Sequence, residues 1–358
     1  MQVLVAMSGG VDSSVATAAL VEEGHEVVGV TLKLWGGDSD SGCCSISDVD
    51  DARRVADHLG VEHLVFNFGD DFTRHVVGPY VADHASGLTP NPCIECNRHL
   101  KFDRLLTRAA VLGFDAVATG HHARIEPAGP AGEPRVVRGV DARKDQSYVI
   151  HMLTGDQLRR VRLPIGAMTK DEVRARAAEL GLRTADKPDS QDVCFISHRG
   201  GGREAFLGAR IPLRPARLVD ADGSEVGRVD AVELVTVGQR RGLGVAVDGT
   251  PRYAVEVDVA SATVVVGTAD RLLVPSERLA SMVWVDDAAR ARAAAVDGVT
   301  AQVSAHGAAV AVAGVAEQPD GTTEVEWVEP QRRVAPGQSV VLYTGDVVLG
   351  GGTVIPPA

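Results

Sequence analysis

Val3-Leu4-Val5-Ala6-Met7-Ser8-Gly9-Gly10-Val11-Asp12-Ser13-Ser14 is the stretch on which the reading of this chain turns. Its four leading apolar residues read as a buried strand. Ser8-Gly9-Gly10 then makes a turn where the backbone can pass close to a ligand, because glycine tolerates positive φ and has no Cβ to block approach. Asp12 and Ser13 are expected to cap a helix that runs on through Val15–Leu20. A Gly-rich turn feeding a helix N-terminus offers free N–H groups and the positive end of the helix dipole, a site for an anion and most often phosphate. The plainer reading is a tight strand-to-helix turn with no ligand. No Gly-Lys-Ser/Thr follows, so this is not a Walker A loop, and it is not Gly-x-Gly-x-x-Gly either.

The chain has 358 residues, room for two or three domains. Charged residues make up 23%, a globular composition rather than a disordered one. The longest apolar runs are of strand length, so no membrane span is expected. The N-terminus enters a strand directly, without a basic and then apolar leader, and a cytoplasmic location is expected. Five cysteines do not suit a secreted disulfide framework; in a reducing compartment they read as reactive thiols or metal ligands. A net charge of −12 argues against non-specific nucleic-acid binding. Local basic clusters nevertheless exist: Arg98 and Lys101 with Arg104 and Arg108, Arg135 and Arg138 with Arg143 and Lys144, Arg159-Arg160 with Arg162, Arg240-Arg241, and Arg332-Arg333. Singly each reads as a solvated face; together they are compatible with a localised surface for a polyanion.

Strands and helices alternate from the first residue. Strands are expected at Glu26–Lys33, His63–Phe68 and Asp115–Thr119. Helices are expected at about Ser47–Leu59, Asp70–Ser86 and, after a loop Gly87–Asn97, on to about Leu112. The pattern implies an α/β domain with a parallel, Rossmann-like sheet and right-handed crossovers. Ligands in such sheets sit at the carboxyl ends of the strands, where Gly9, Leu32 and Gly120 would lie. Ala123–Val140 reads as a hairpin, with helices at about Gly155–Arg160 and Thr169–Leu180. After Leu207 short Val-rich strands with Gly/Asp turns take over. The expected domains are 1–205, nucleotide-binding; 206–275, a small β domain; and 276–358, a C-terminal β-barrel. Ala288–Val296 reads as a linker or a short helix.

Cys93 and Cys96 form a C-x-x-C in a Pro-rich loop just before a helix. A thiol near a helix N-terminus with Arg98 close in sequence is expected to gain thiolate character. The spacing also suits a metal, but no second C-x-x-C exists for a four-cysteine zinc site. Cys194 lies about a hundred residues on, between an acidic turn and Phe195-Ile196. On composition alone it reads equally well as a buried small hydrophobe. The same holds for Cys43-Cys44, whose adjacency would strain a mutual disulfide.

Ser8-Gly-Gly-Val-Asp-Ser resembles the pyrophosphate-binding loop of the N-type ATP pyrophosphatases, which adenylate a carbonyl oxygen and release pyrophosphate. Gly42-Cys-Cys-Ser, Thr89-Pro-Asn-Pro with Cys96-Asn and Lys101-Phe, Ala118-Thr-Gly-His121, Lys144-Asp-Gln-Ser147, Asp189-Ser-Gln-Asp-Val-Cys194-Phe-Ile and Gly238-Gln-Arg-x-Gly-Leu-Gly244 follow in order. Together they resemble the MnmA family of tRNA-specific 2-thiouridylases over essentially the whole chain. The resemblance implies a PP-loop domain, a small β domain and a tRNA-contacting barrel. It also implies ATP-dependent 2-thiolation of the wobble uridine of tRNA, by adenylation of the C2 oxygen and sulfur transfer. ATP with Mg2+ would bind at Ala6, Met7, Ser8, Gly9, Gly10, Val11, Asp12 and Ser13, with Leu32 and Gly120 at the adenosine. Cys194 would carry a persulfide and Cys96 would be its catalytic partner. Asn91, Pro92 and Cys93 would face the target base. His121, Lys144, Asp145, Gln146 and Gln338 would touch tRNA. A cysteine desulfurase or sulfur-relay protein would supply the sulfur. Two thiols distant in sequence suit such chemistry, since one carries sulfur and the other accepts its bond.

Two departures bear on that reading. Many members of the family have Asp where this chain has Cys93, so an acid/base role there is open. Three thiols, Cys93, Cys96 and Cys194, then stand at one expected site, and a [4Fe-4S] cluster is an alternative to the persulfide route. In the C-terminal barrel, Ser304-Ala305 stands where relatives often carry Arg-Tyr. Two rivals are an amidating synthetase on the same nucleotide-binding domain, which requires no cysteines, and a non-catalytic tRNA-binding relative, which requires neither an intact Ser8–Ser13 loop nor Cys194.

Overall fold

The computed structural model describes residues 1–35, 46–189, 193–196, 200–246 and 249–357. Expectations placed on Cys43-Cys44 and on Ser190-Gln191-Asp192 fall outside these residues. β1 (Gln2–Ala6) pairs in parallel with β2 (Glu26–Lys33), and β2 with β3 (Glu62–Asn67). On its other side β1 pairs in parallel with β4 (Ala116–Thr119). Successive side chains of a strand face opposite sides of the sheet. Val3 and Val5 of β1 accordingly pack on one face with Val15 and Leu20 of helix Val11–Glu22, Val55 of helix Ile46–Leu59 and Val173 of helix Lys170–Glu179. Leu4 enters the opposite core with Phe72, Leu105 and Val117. Val3–Val5 of β1 and all of β4 are thus buried, the continuous apolar run expected of a doubly covered parallel sheet.

β5 (Ala123–Pro127) and β6 (Pro134–Arg138) form the expected hairpin. Its place corrects the sequence reading. β6 pairs with the last strand of the chain, so the hairpin extends the C-terminal sheet rather than the nucleotide-binding one. Arg135, 3% exposed, pairs there with Asp286, and the Arg138 guanidinium lies 3.8 Å over the Tyr343 ring. Two residues read as part of a basic surface cluster are therefore internal fastenings. β7 (Val161–Arg162) pairs in parallel with β4, giving the order β3-β2-β1-β4-β7.

A separate sheet holds β8 (Ala216–Val219), β9 (Glu225–Val229), β10 (Tyr253–Asp258) and β11 (Thr263–Gly267), in the order β10-β11-β8-β9. Its own core contains Leu218, Val232, Val264 and Val266. β12 (Leu273–Trp284), β13 (Val299–Gln302), β14 (Val310–Glu317), β15 (Thr323–Arg332), β16 (Ser339–Thr344) and β17 (Val347–Val354) run in the order β12-β15-β14-β13-β16-β17. β12 returns to pair antiparallel with β17 and closes the barrel. β12 starts at Leu273, ahead of the boundary expected at 276. Asp287–Ala295 is a helix, N-capped by Asp286, which accepts from Ala289 N at 2.8 Å. Among the described residues no helix is long and apolar enough to cross a membrane.

Candidate active site

The turn after β1 is built by its two glycines. Gly9 has φ +72°, and a Cβ there would lie 2.3 Å from the Asp48 carbonyl oxygen, so conformation and space both exclude a side chain. Gly10 occupies the extended N-cap position and helix Val11–Glu22 follows at once. This corrects the expectation that Asp12 and Ser13 cap the helix: they sit in its first turn. Ser13 Oγ instead accepts from Ser8 N at 3.1 Å and donates to Gly10 O at 3.2 Å. Ser14 Oγ donates to the same carbonyl at 2.8 Å. The hydroxyls brace the turn and leave the helix N-terminus directed at the site.

Two lysines outside the motif hold it in place. Lys187 Nζ donates to Gly9 O at 2.9 Å and to Asp48 and Asp51 at 2.6 and 2.8 Å. Lys170 Nζ lies 2.7 and 2.8 Å from the two Asp12 oxygens, and His122 Nε2 is 3.1 Å from Oδ1. Burial pushes the Asp12 carboxyl up, but the hydrogen bonds from His122 and Lys170 outweigh it and keep the group below its ordinary value. Sequence reasoning missed Lys170, Lys187 and His122. Lys187 sits in the same Asp186–Cys194 stretch as the expected sulfur carrier, a signal that was present. Lys170 follows an N-cap, Thr169, whose capping box with Glu172 explains the helix but says nothing of the lysine.

A cavity of ≈ 300 Å³ opens at the carboxyl ends of β1, β2 and β4. Ala6, Met7, Ser8, Asp12, Ser13, Leu32 and Gly120 line its nucleotide side. Pro92, Cys93, Cys96, Cys194, His121 and Gln146 line the cavity as well. Gly9, Gly10 and Val11 stand behind the lining as the frame of the turn.

Cys93 and Cys96 are not in a loop, as expected, but in helix. Pro92–Glu95 is the first helical turn, continued by Cys96–Arg104. Asn91 is its N-cap, accepting from Cys93 N at 3.1 Å, and Pro92 stands at the first position. Asn-Pro is the ordinary start signal for a helix, and the sequence carried it. Arg98 pairs with Glu95 at 3.5 Å, so its charge is directed there. Cys93 is exposed, Cys96 buried and Cys194 half-buried. Phe195 fixes the Cys194 segment: its ring centroid lies 5.5 Å from Phe72, 5.4 Å from Tyr80 and 5.2 Å from Phe206. The three thiols line one cavity. Among the described residues no group of three His, Cys, Asp or Glu side chains is placed to hold a metal.

The remaining expected site residues divide. His121 is buried, with Nδ1 2.7 Å from Thr119 Oγ1, and burial, with Lys101 and His122 nearby, drives its pKa well below the usual value. It is a neutral imidazole at neutral pH. Gln146 accepts from His122 N at 2.8 Å. Lys144 donates to Asp189 at 2.8 Å. Asp145 is 4% exposed and accepts from Gly139 N, Ser147 N, Ser147 Oγ and Arg138, so its carboxylate is spent inside the protein. Gln338 lies in the turn before β16 and donates to Thr89 O at 2.6 Å, while Thr89 N donates to Pro336 O at 2.7 Å. The barrel thereby fixes the entry to the Asn91-Pro92-Cys93 helix start.

A parallel sheet with a Ser-Gly-Gly-Val-Asp-Ser turn at its carboxyl edge, and cysteines lining the same cavity, defines an N-type ATP pyrophosphatase domain adapted to thiol chemistry. Residues 1–198 match the tRNA methyl transferase HUP domain family, 204–268 the tRNA methyl transferase PRC-barrel domain family and 278–354 the aminomethyltransferase beta-barrel domain family. The chain is 47% identical to a tRNA-specific 2-thiouridylase MnmA of Roseiflexus sp. (strain RS-1), covering 99% of each chain. It is 48% identical to that of Chloroflexus aurantiacus, over 99% of this chain and 98% of the relative, and 46% to that of Mycolicibacterium smegmatis, over 99% of each. The chain belongs to the MnmA family of tRNA-specific 2-thiouridylases.

Proposed function

We propose that the protein is an ATP-dependent tRNA uridine 2-sulfurtransferase that acts on the wobble uridine. One observation carries this reading: the pyrophosphate turn and two cysteines, Cys96 and Cys194, line a single cavity. In the first half-reaction the uridine C2 oxygen attacks the α-phosphorus of ATP. The bond to the bridging oxygen breaks, pyrophosphate leaves, and the C2 oxygen becomes the better leaving group, AMP. The helix N-terminus and the Ser8–Ser13 turn hold the phosphates. Asp12, kept ionised beside the turn, would be the carboxylate to help hold Mg2+, which would supply charge neutralisation.

In the second half-reaction Cys194 carries a persulfide. The Cys96 thiolate attacks the inner sulfur of Cys194, the persulfide S–S bond breaks, and hydrosulfide leaves as a Cys96–Cys194 disulfide forms. Hydrosulfide adds at C2, AMP departs, and a thiol reductant then restores the two cysteines. The persulfide sulfur comes from a cysteine desulfurase or relay protein. Asn91, Pro92 and Cys93 lie where the base would enter, and Gln338 holds that segment. Asp145 and Lys144 support the wall from within.

The adenylation half is tested alone. Purified protein with ATP, Mg2+ and unmodified tRNA, but no sulfur donor, is expected to release pyrophosphate, and Cys194→Ser is expected to do the same. Pyrophosphate exchange that depends on a small carboxylic acid and not on tRNA would instead identify an amidating enzyme. Tight tRNA binding with no pyrophosphate release would identify a non-catalytic relative.

A further inference from the structure

We infer that Arg240, Arg241, Arg332 and Arg333 form one seam between the small β domain and the barrel that binds the RNA backbone next to the base held in the cavity. Five basic clusters stand out in the sequence, and the structure draws members of three into ion pairs. Arg104 pairs with Asp71, Arg135 with Asp286, Arg138 with Asp145, Lys144 with Asp189 and Arg159 with Asp156. The other two clusters are treated differently. Arg240, Arg241 and Arg332 are exposed and Arg333 is half-buried, and among the described residues none of the four forms an ion pair. The Arg333 charge reaches buried Glu277, but that carboxylate accepts from Val334 N at 2.7 Å and does not pair with the arginine.

The two pairs are about ninety residues apart in the chain, and β10 brings them together. The Arg332 guanidinium lies 5.1 Å from the centroid of the Tyr253 ring. The next residue, Ala254, donates its N–H to Gln239 O at 2.9 Å and accepts from Gly238 N at 2.8 Å. Gln239 directly precedes Arg240. Both pairs also stand a short way along the chain from groups that hold Thr89. Thr236 Oγ1 is 3.3 Å from Thr89 Oγ1, and Arg240 follows four residues later. Pro336 O accepts from Thr89 N at 2.7 Å, and Arg333 precedes Pro336 by three residues. With a chain reach of at most ~3.6 Å per residue, both pairs start within roughly 20 Å of Thr89. Thr89 is itself three residues ahead of Pro92, which lines the cavity.

A base that enters the cavity brings its flanking phosphates to this part of the surface. The chain carries a net charge of −12, so most of its surface repels them. Arginines not spent on carboxylates supply the local attraction, and the planar guanidinium matches phosphate. Stacking on Tyr253 engages the face of the Arg332 guanidinium and leaves its N–H donors for an anion. Arginines that were only solvated would leave RNA binding and its salt dependence unchanged.

The inference rests on the reading of the substrate as tRNA, and the experiment separates the two. Binding of an unmodified transcript of a tRNA with a wobble uridine to the full-length protein is followed by fluorescence anisotropy, from about 50 to 200 mM salt. Arg240→Ala/Arg241→Ala and Arg332→Ala/Arg333→Ala are each expected to weaken binding about tenfold or more at low salt. Each is also expected to reduce the slope of log K against log salt by about 1 to 2, as the loss of one or two phosphate contacts does. The corresponding Lys variants, which keep the charge, are expected to keep the slope. Arg290→Ala, whose guanidinium is paired with Glu317 on the barrel, is the control and is expected to bind as the wild type does. Melting curves establish that each variant is folded, and Arg240→Ala alone, a change at an exposed side chain, covers the case that a double variant is not. Folded alanine variants that keep the wild-type affinity and slope overturn the seam alone. Variants that bind tRNA normally but no longer take sulfur from a relay protein also overturn it, and mark the surface as a protein dock. A wild-type protein that binds no tRNA overturns the tRNA reading and the seam together.

Discussion

A Cβ on Gly120 would lie 2.6 Å from the backbone nitrogen of Ser13 and 2.7 Å from the carbonyl carbon of Asp12. The end of β4 therefore presses directly on the pyrophosphate turn, backbone against backbone, with no flexible side chain to yield. Gly120→Ala must shift one of the two. Overpacking of this kind costs roughly 1–3 kcal/mol. Because the strain falls on the ATP site, the Kd for ATP is expected to rise about tenfold or more, with a smaller loss of thermal stability, read by calorimetry and a melting curve.

Lys187 neutralises Asp48 and Asp51 and holds the Gly9 carbonyl. Lys187→Met leaves two neighbouring carboxylates and a carbonyl without that donor. With the side chain 28% exposed, solvent makes up part of the loss. A destabilisation of about 1–2 kcal/mol in urea unfolding is expected, together with weaker ATP binding, because the turn is released from Asp48.

The thiols are expected to separate by function. Cys96→Ala and Cys194→Ala should each lower thiolation on the order of 10³-fold or more, as loss of a reacting group does. Exposed Cys93 has no reacting role in the account, and Cys93→Ala should keep thiolation within about threefold, the scale of a lost contact rather than a lost nucleophile. Nucleoside mass spectrometry of tRNA reads all three. Loss with Cys93→Ala equal to that with Cys194→Ala, accompanied by iron bound after anaerobic reconstitution, would favour the cluster route.

Stability is expected to fall on mild acidification. Burial pushes His84 and His151 down to about 4, and His121 well below its usual value. In the unfolded chain each takes a proton near pH 6.5; folded, each refuses it. The unfolded state then binds more protons below pH 6.5, so stability drops as pH falls from 6.5 towards 4, by about 1.4 kcal/mol per pH unit for each histidine. Above pH 7 the three contribute no slope. Urea midpoints against pH should show this, and His84→Gln should flatten it. Asp189, held at about 2 against the upward push of burial by Lys144 and Lys170, adds a loss only below the ordinary carboxylate range, as pH falls from about 4 towards 2.

Much of this was legible in the sequence, for physical reasons that differ by element. Val3–Ala6 and Glu26–Lys33 declare themselves because strands covered on both faces must be apolar throughout. Gly9 declares the turn because no other residue fits beside Asp48. The convergence of Cys96 and Cys194 followed only from the resemblance, since two thiols a hundred residues apart carry no joint signal. The hairpin Ala123–Val140 read correctly as a hairpin but not as an extension of the C-terminal sheet, because its pairing with β17 depends on chain far downstream. Lys170 was invisible for the same reason: a lysine in a first helical turn looks solvated until Asp12 and Asp189 close over it. Arg138 was misplaced towards the surface because it is paired inside with Asp145 and Gln302, partners that local sequence does not name.

The central claim is that one cavity joins ATP activation to sulfur held on Cys194. The most direct test loads Cys194 with a labelled persulfide, removes the donor, and adds tRNA in a single turnover. With Mg2+ and ATP the label is predicted to leave the protein and appear in 2-thiouridine, at close to one per loaded enzyme, and without ATP to stay on Cys194. Label that remains on the protein while 2-thiouridine forms, or that moves to tRNA without ATP, would contradict the account.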